Sequence, residues 1–159
     1  STGVYVDPIL RLDDQGDVYL NTGFGTGNYN GVKVFDGDLK EFELADVKIL
    51  SETITLTKGS SNNGGSNIYP VATAKGAKVV VVAENLQDGE KEFIEFGVTD
   101  DGTDVFHTEY GNLRTDYQLI VPSFEFTATS EARLNILLGA NVPATNSVKI
   151  TFSSTITKK

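Results

Sequence analysis

Asp100-Asp101-Gly102-Thr103-Asp104-Val105-Phe106-His107-Thr108-Glu109-Tyr110-Gly111 joins two β-type runs through a turn. Before it, Phe93-Ile94-Glu95-Phe96-Gly97-Val98-Thr99 sets Ile94, Phe96 and Val98 on one face of an extended strand and Phe93 and Glu95 on the other. After the turn the residues are largely β-branched and aromatic, types that suit a pleated, half-buried surface. Asp101-Gly102 tolerates the positive φ of a tight turn, so the stretch predicts a β-hairpin.

The same period of two recurs on either side. In Val148–Ile156 the even positions Val148, Ile150, Phe152 and Ile156 are apolar and the odd ones polar; Leu134, Ile136 and Leu138, then Phe124 and Phe126, then Ile54 and Leu56 repeat the pattern. Gly, Asn and Asp interrupt these runs every 8–12 residues or so, the rhythm of a sandwich or barrel. The expected class is all-β, an antiparallel β-sandwich of jelly-roll or Ig-like type with an extended N-terminal arm. Helical signal is sparse: Asp38–Ala45 has the composition for one or two turns, yet Phe42 and Leu44 alternate equally well as a strand.

Asn21–Gly31 and Lys58–Asn67 are rich in Gly, Asn, Ser and Thr and predict exposed loops. The resulting division is an N-terminal arm or assembly segment at 1–58, a Gly/Ser/Asn-rich loop at 59–67 and a β-sandwich domain at 68–159. Val4–Phe35 holds short strands such as Asp17–Leu20 and would complete its core against a neighbouring subunit.

At 159 residues the chain can bury a core without staples. It has no cysteine, which removes disulfides and thiolate metal sites. Its net charge of -9, with no basic patch, opposes binding to nucleic acid and to anionic membranes. The longest apolar run, Val79–Ala83, is far short of the roughly 20 residues that cross a bilayer, so no membrane insertion is expected. With no methionine present, Ser1 follows either a trimmed initiator or a longer sequence.

Candidate chemistry is thin. Gly23-Phe24-Gly25-Thr26-Gly27 lacks the third spaced glycine and following helix of a dinucleotide loop, because position 28 is Asn. Asp13–Asp17, Asp36–Asp38 and Asp100–Asp104 concentrate carboxylates that could hold calcium, but none has alternating acids with a glutamate at the twelfth position. Asp-Gly turns account for them. His107, the single histidine, shares a strand face with Val105 and Glu109, opposite Phe106 and Tyr110, and no Gly-x-Ser-x-Gly elbow accompanies it. Glu84, Glu92, Glu95 and Glu109 could supply a glycosidase-type carboxylate pair only at a separation that sequence does not measure. The expectation is therefore no catalytic, cofactor-binding or metal site, no cofactor, and no enzymatic activity.

Lys78–Ile156 resembles a β-sandwich module of virion structural and fibre proteins of tailed bacteriophages, especially those infecting marine cyanobacteria. The resemblance rests on Lys78–Val82, on Asp101-Gly102-Thr103-Asp104-Val105-Phe106 leading to Thr108-Glu109-Tyr110-Gly111, on Arg133–Leu138 and on Val148–Ile156. It covers about half the chain, and 1–77 departs from it. It implies a virion protein made in the host cytoplasm, a fibre or appendage component or a capsid-decorating protein. Its partners would be other virion proteins and further copies of itself. A module binding a host-surface glycan or receptor is the alternative, through the loops Gly23–Gly31 and Gly59–Asn67.

Overall fold

The computed structural model describes residues 46–159 in full and, nearer the N-terminus, the backbone of four strands: β1 (Leu10–Leu12), β2 (Val18–Asn21), β3 (Gly31–Lys33) and β4 (Glu41–Glu43). Eight strands follow: β5 (Val47–Thr57), β6 (Asn63–Pro70), β7 (Ala74–Asn85), β8 (Lys91–Asp100), β9 (Val105–Arg114), β10 (Ile120–Phe126), β11 (Glu131–Leu138) and β12 (Ser147–Lys158). They form two antiparallel sheets packed as a sandwich. The large sheet runs β5-β12-β7-β8-β9 and is extended beyond β5 by β4, β3, β2 and β1; the small one is β10-β11-β6.

Alternation explains which face is buried. Val79, Val81, Ala83, Ile94, Phe96, Val98, Val148, Ile150 and Phe152 point inward from the large sheet, and Ala132, Leu134, Ile136 and Leu138 meet them from β11. In register, Phe152 stands beside Val81 and Val81 beside Ile94, so the core is built in rows across the strands. The hairpin expected at Asp101-Gly102 joins β8 to β9, pairing Asp100 with Val105.

Two expectations need correction. Only the first part of 59–67 is a turn, up to Asn62: Asn63–Pro70 is β6, paired with β11 along its length. A strand lies there because its neighbours need small residues. A Cβ on Gly64 would press on Leu56 and Ile54, and one on Gly65 would sit 2.4 Å from the Leu134 carbonyl oxygen. Nor does the sandwich begin at 68, since β5 supplies a full partner for β12 from Thr57–Ser147 to Val47–Thr157, and Leu56 of β5 is part of the core. The loop expected at Gly23–Gly31 and the acidic turns at Asp13–Asp17 and Asp36–Asp38 lie outside the described residues, apart from the β3 residue Gly31.

Candidate functional site

The residues with chemical potential are placed by the strands one at a time. His107 sits on the inward side of β9 opposite Val98, its ring 4.7 Å from Phe124 and 6.1 Å from Phe96 between centroids. It shares that face with Glu109, as the parity predicts. Tyr110 is the extra residue of a β-bulge, since Glu95 pairs with Gly111 while Phe96 pairs with Glu109.

The four glutamates do not form a pair suited to sugar chemistry. Glu92 faces inward, whereas Glu84 and Glu95 face outward, where they meet Lys91 at 3.4 Å and Lys78 at 2.9 Å. Glu84 lies four residues along β7 from Val80, the partner of Glu95, and Glu92 lies four residues along β8 from Phe96, the partner of Glu109. Each separation is about 13 Å at the rise of an extended strand, beyond the roughly 5–9.5 Å used by glycosidases.

Glu92 has a structural task that sequence reading missed. Fully buried, its carboxylate accepts from Arg114 Nε at 2.6 Å, Leu119 N at 2.7 Å and Ile120 N at 3.0 Å. The Leu119 amide ends the connection that carries the chain from β9 in one sheet to β10 in the other, and the Ile120 amide opens β10. Asn85, equally buried, closes the same end: its Nδ2 donates to Asp88 Oδ2 and Tyr117 OH, while its Oδ1 accepts from Gln87 N and Asn146 Nδ2. Burial, with the hydrogen bond to Asp88, pushes the Tyr117 phenol up. No sequence motif marks either residue; the signal was a polar side chain at a strand position whose neighbours are core.

At the opposite end, Asp101 Oδ1 accepts from Thr103 N, Thr103 Oγ1 and Asp104 N at 2.8–2.9 Å. These donors, Asp104 N foremost, hold the carboxyl below its ordinary range. Gly102 occupies φ +93, which the Asp-Gly pattern predicts. The carboxylates of this turn thus close the turn itself, and among the described residues no three His, Asp or Glu gather as a metal site.

What remains unabsorbed is the outer surface of the large sheet at its β9 end. Val82, Phe93 and Leu113 form one row across β7, β8 and β9, and are 39%, 37% and 70% exposed. Further along β9, Phe106 and Tyr110 are 52% and 69% exposed, and Tyr110 lies over Gly97, where a Cβ would meet its ring at 2.8 Å. Gly97, Thr99, Phe106, Thr108 and Tyr110 line an open groove of about 420 Å³. The arrangement has contact chemistry, aromatic and aliphatic surface flanked by hydroxyls.

No protein-family model matches the chain, and no curated protein does. Among solved structures, the fold is similar to part of the tailspike protein of Acinetobacter phage vB_ApiP_P1, with 11% identity and a TM-score of 0.44 over 69% of this chain and 22% of that one. It is similar also to the tailspike of Acinetobacter baumannii phage AM24, with 10% identity and a TM-score of 0.41 over 71% and 26%. The chain thus spans about a quarter of the length of the structures it matches.

Proposed function

We propose that this chain is a non-enzymatic structural unit on the exterior of a tailed-phage virion, a fibre or appendage component or a capsid-decorating protein. The observation that carries this reading is the use to which the distinctive residues are put. Asp101-Gly102-Thr103-Asp104 and Thr108-Glu109-Tyr110-Gly111, which carry the sequence resemblance to phage virion modules, lie on one hairpin, as a self-closed turn and a bulged strand. The buried Glu92 and Asn85 are satisfied by bonds that join the two sheets' connections. Polar groups in these places hold shape, and the exposed apolar row on β7, β8 and β9 offers contact.

In this reading the N-terminal segment, whose strands β4 to β1 continue the large sheet, serves attachment to neighbouring virion proteins. Locating and counting the chain in intact particles tests it. A few copies around the axis of a thin projection support an appendage, and hundreds over a shell support decoration. Absence from every particle of the phage that encodes it overturns the proposal.

A further inference from the structure

The groove on β8 and β9 owes its shape to a missing side chain. Gly97 faces outward between Lys78 of β7 and Thr108 of β9. Because nothing projects from it, the Tyr110 ring lies down against the strand, where a Cβ on Gly97 would meet it at 2.8 Å. Tyr110 is still 69% exposed, so most of the ring stays open to solvent in a position the backbone has set. Phe106, opposite Thr99 and half exposed, bounds the other end. Hydroxyls stand between the rings. Those of Thr108 and Tyr110 have no hydrogen-bond partner among the described residues, and Thr99 Oγ1 donates to Lys75 O with its lone pairs left to accept.

Size, charge and surface chemistry together select the occupant. The volume of about 420 Å³ lies within the roughly 300–1,000 Å³ of small-molecule sites, while the apolar strip around it falls short of the roughly 800 Å² per partner of a stable protein interface. No Asp, Glu, Lys or Arg lines the groove, and Lys78 beside it has its Nζ on Glu95 at 2.9 Å. On a chain of net charge -9 an anionic ligand therefore finds no uncommitted cation there. A wholly apolar ligand would strip water from the hydroxyls without replacing its hydrogen bonds. A sugar ring meets both demands, with a C–H face for the aromatic ring and hydroxyls around its rim. We infer that the groove binds a neutral saccharide, one ring laid on Tyr110 with its hydroxyls bonded to Thr108 and Thr99. The site lies on strands β8 and β9, apart from the loops Gly23–Gly31 and Gly59–Asn67, and the inference rests on the groove and not on the virion role.

Amide NMR titration of the full chain with neutral oligosaccharides of glucose, galactose, mannose, rhamnose and N-acetylglucosamine tests the site. At least one is expected to shift the amides of Gly97, Thr99, Phe106, Thr108 and Tyr110, with half-saturation at about 1 mM, as one shallow subsite gives. Tyr110→Ala should weaken binding by about tenfold or more, and Thr108→Val by about fivefold. Gly97→Ala keeps every groove side chain but pushes the Tyr110 ring off its seat. It should weaken binding as Tyr110→Ala does while the rest of the amide spectrum stays that of the folded chain, which separates loss of the site from loss of the fold. Leu113→Ala, exposed outside the groove, should leave binding as it was. Silence of the groove amides up to about 20 mM of every sugar overturns the inference, as do shifts that Tyr110→Ala leaves unchanged. Cyclohexanol binding as tightly as the sugars would also overturn it, because the groove would then read apolar surface alone.

Discussion

At the scale of single residues, the buried polar groups make the clearest demands. Glu92→Ala leaves the Leu119 and Ile120 amides buried without an acceptor and Arg114 without its partner, and should cost about 3 kcal/mol or more in urea unfolding. Glu92→Gln keeps an acceptor oxygen and should cost roughly half as much. Tyr69 makes the opposite case. Its ring is core but its hydroxyl makes no well-formed hydrogen bond among the described residues, and burial, with the Asp100 carboxylate close beside it, pushes the phenol above its ordinary value. A raised pKa contributes stability that is complete below the unfolded tyrosine value of about 10 and is lost as pH climbs above it. Tyr69→Phe should remove that alkaline loss in thermal unfolding. At neutral pH it should leave stability unchanged or raise it by up to about 1 kcal/mol. Asp101 behaves in reverse, since its pKa is lowered. The turn it closes is supported above the ordinary carboxylate range and released as pH falls through the lower folded value, so the Thr103 and Asp104 amide shifts should titrate with a midpoint below that of an ordinary aspartate.

At the scale of elements, the strands that alternate were legible and those that do not were missed. Val148–Ile156 announces its inward face because Val148, Ile150, Phe152 and Ile156 have polar residues between them; even Ser154, polar and buried, keeps the parity. Asn63–Asn67 announces nothing, because what fits under Leu56, Ile54 and Leu134 is glycine, and glycine carries no face. Composition therefore read it as a loop, although the packing partner and not the strand itself sets the requirement. Glu92 and Asn85 were unreadable for a related reason: their partners lie on connections and on strand ends whose meeting the sequence does not reveal. The β6 account has a direct consequence. Gly65→Ala brings a methyl against the Leu134 carbonyl and should destabilise by about 1–3 kcal/mol. Gly111→Ala, where a Cβ meets nothing within 4 Å, should stay within about 0.5 kcal/mol. Equal effects at the two positions in denaturant melts would remove the packing explanation.

At the scale of the whole molecule, the position of β12 governs how the fold is completed. It lies between β5 and β7, so a strand far along the sequence is an interior strand of the large sheet, and its bond between Thr151 and Thr53 spans 98 residues of sequence. Neither β5 nor β7 pairs with the other without it. Such non-local pairing makes closure slow, because the entropy of a long loop is lost before the core rewards it. Refolding is expected in milliseconds to seconds or longer, and a chain ending before Ser147 should show no cooperative unfolding transition. The buried core of the described residues, by contrast, begins at Leu56 and ends at Ile156. A chain of residues 46–159 holds all of that core, and should melt in one transition within a few degrees of the full chain. If it does, β1 to β4 extend a sheet that is already stable, which is what a segment serving attachment requires. A melting point lowered by about 10 °C or more would instead make those strands part of the folding unit, since a few degrees corresponds to about 1 kcal/mol in a domain of this size.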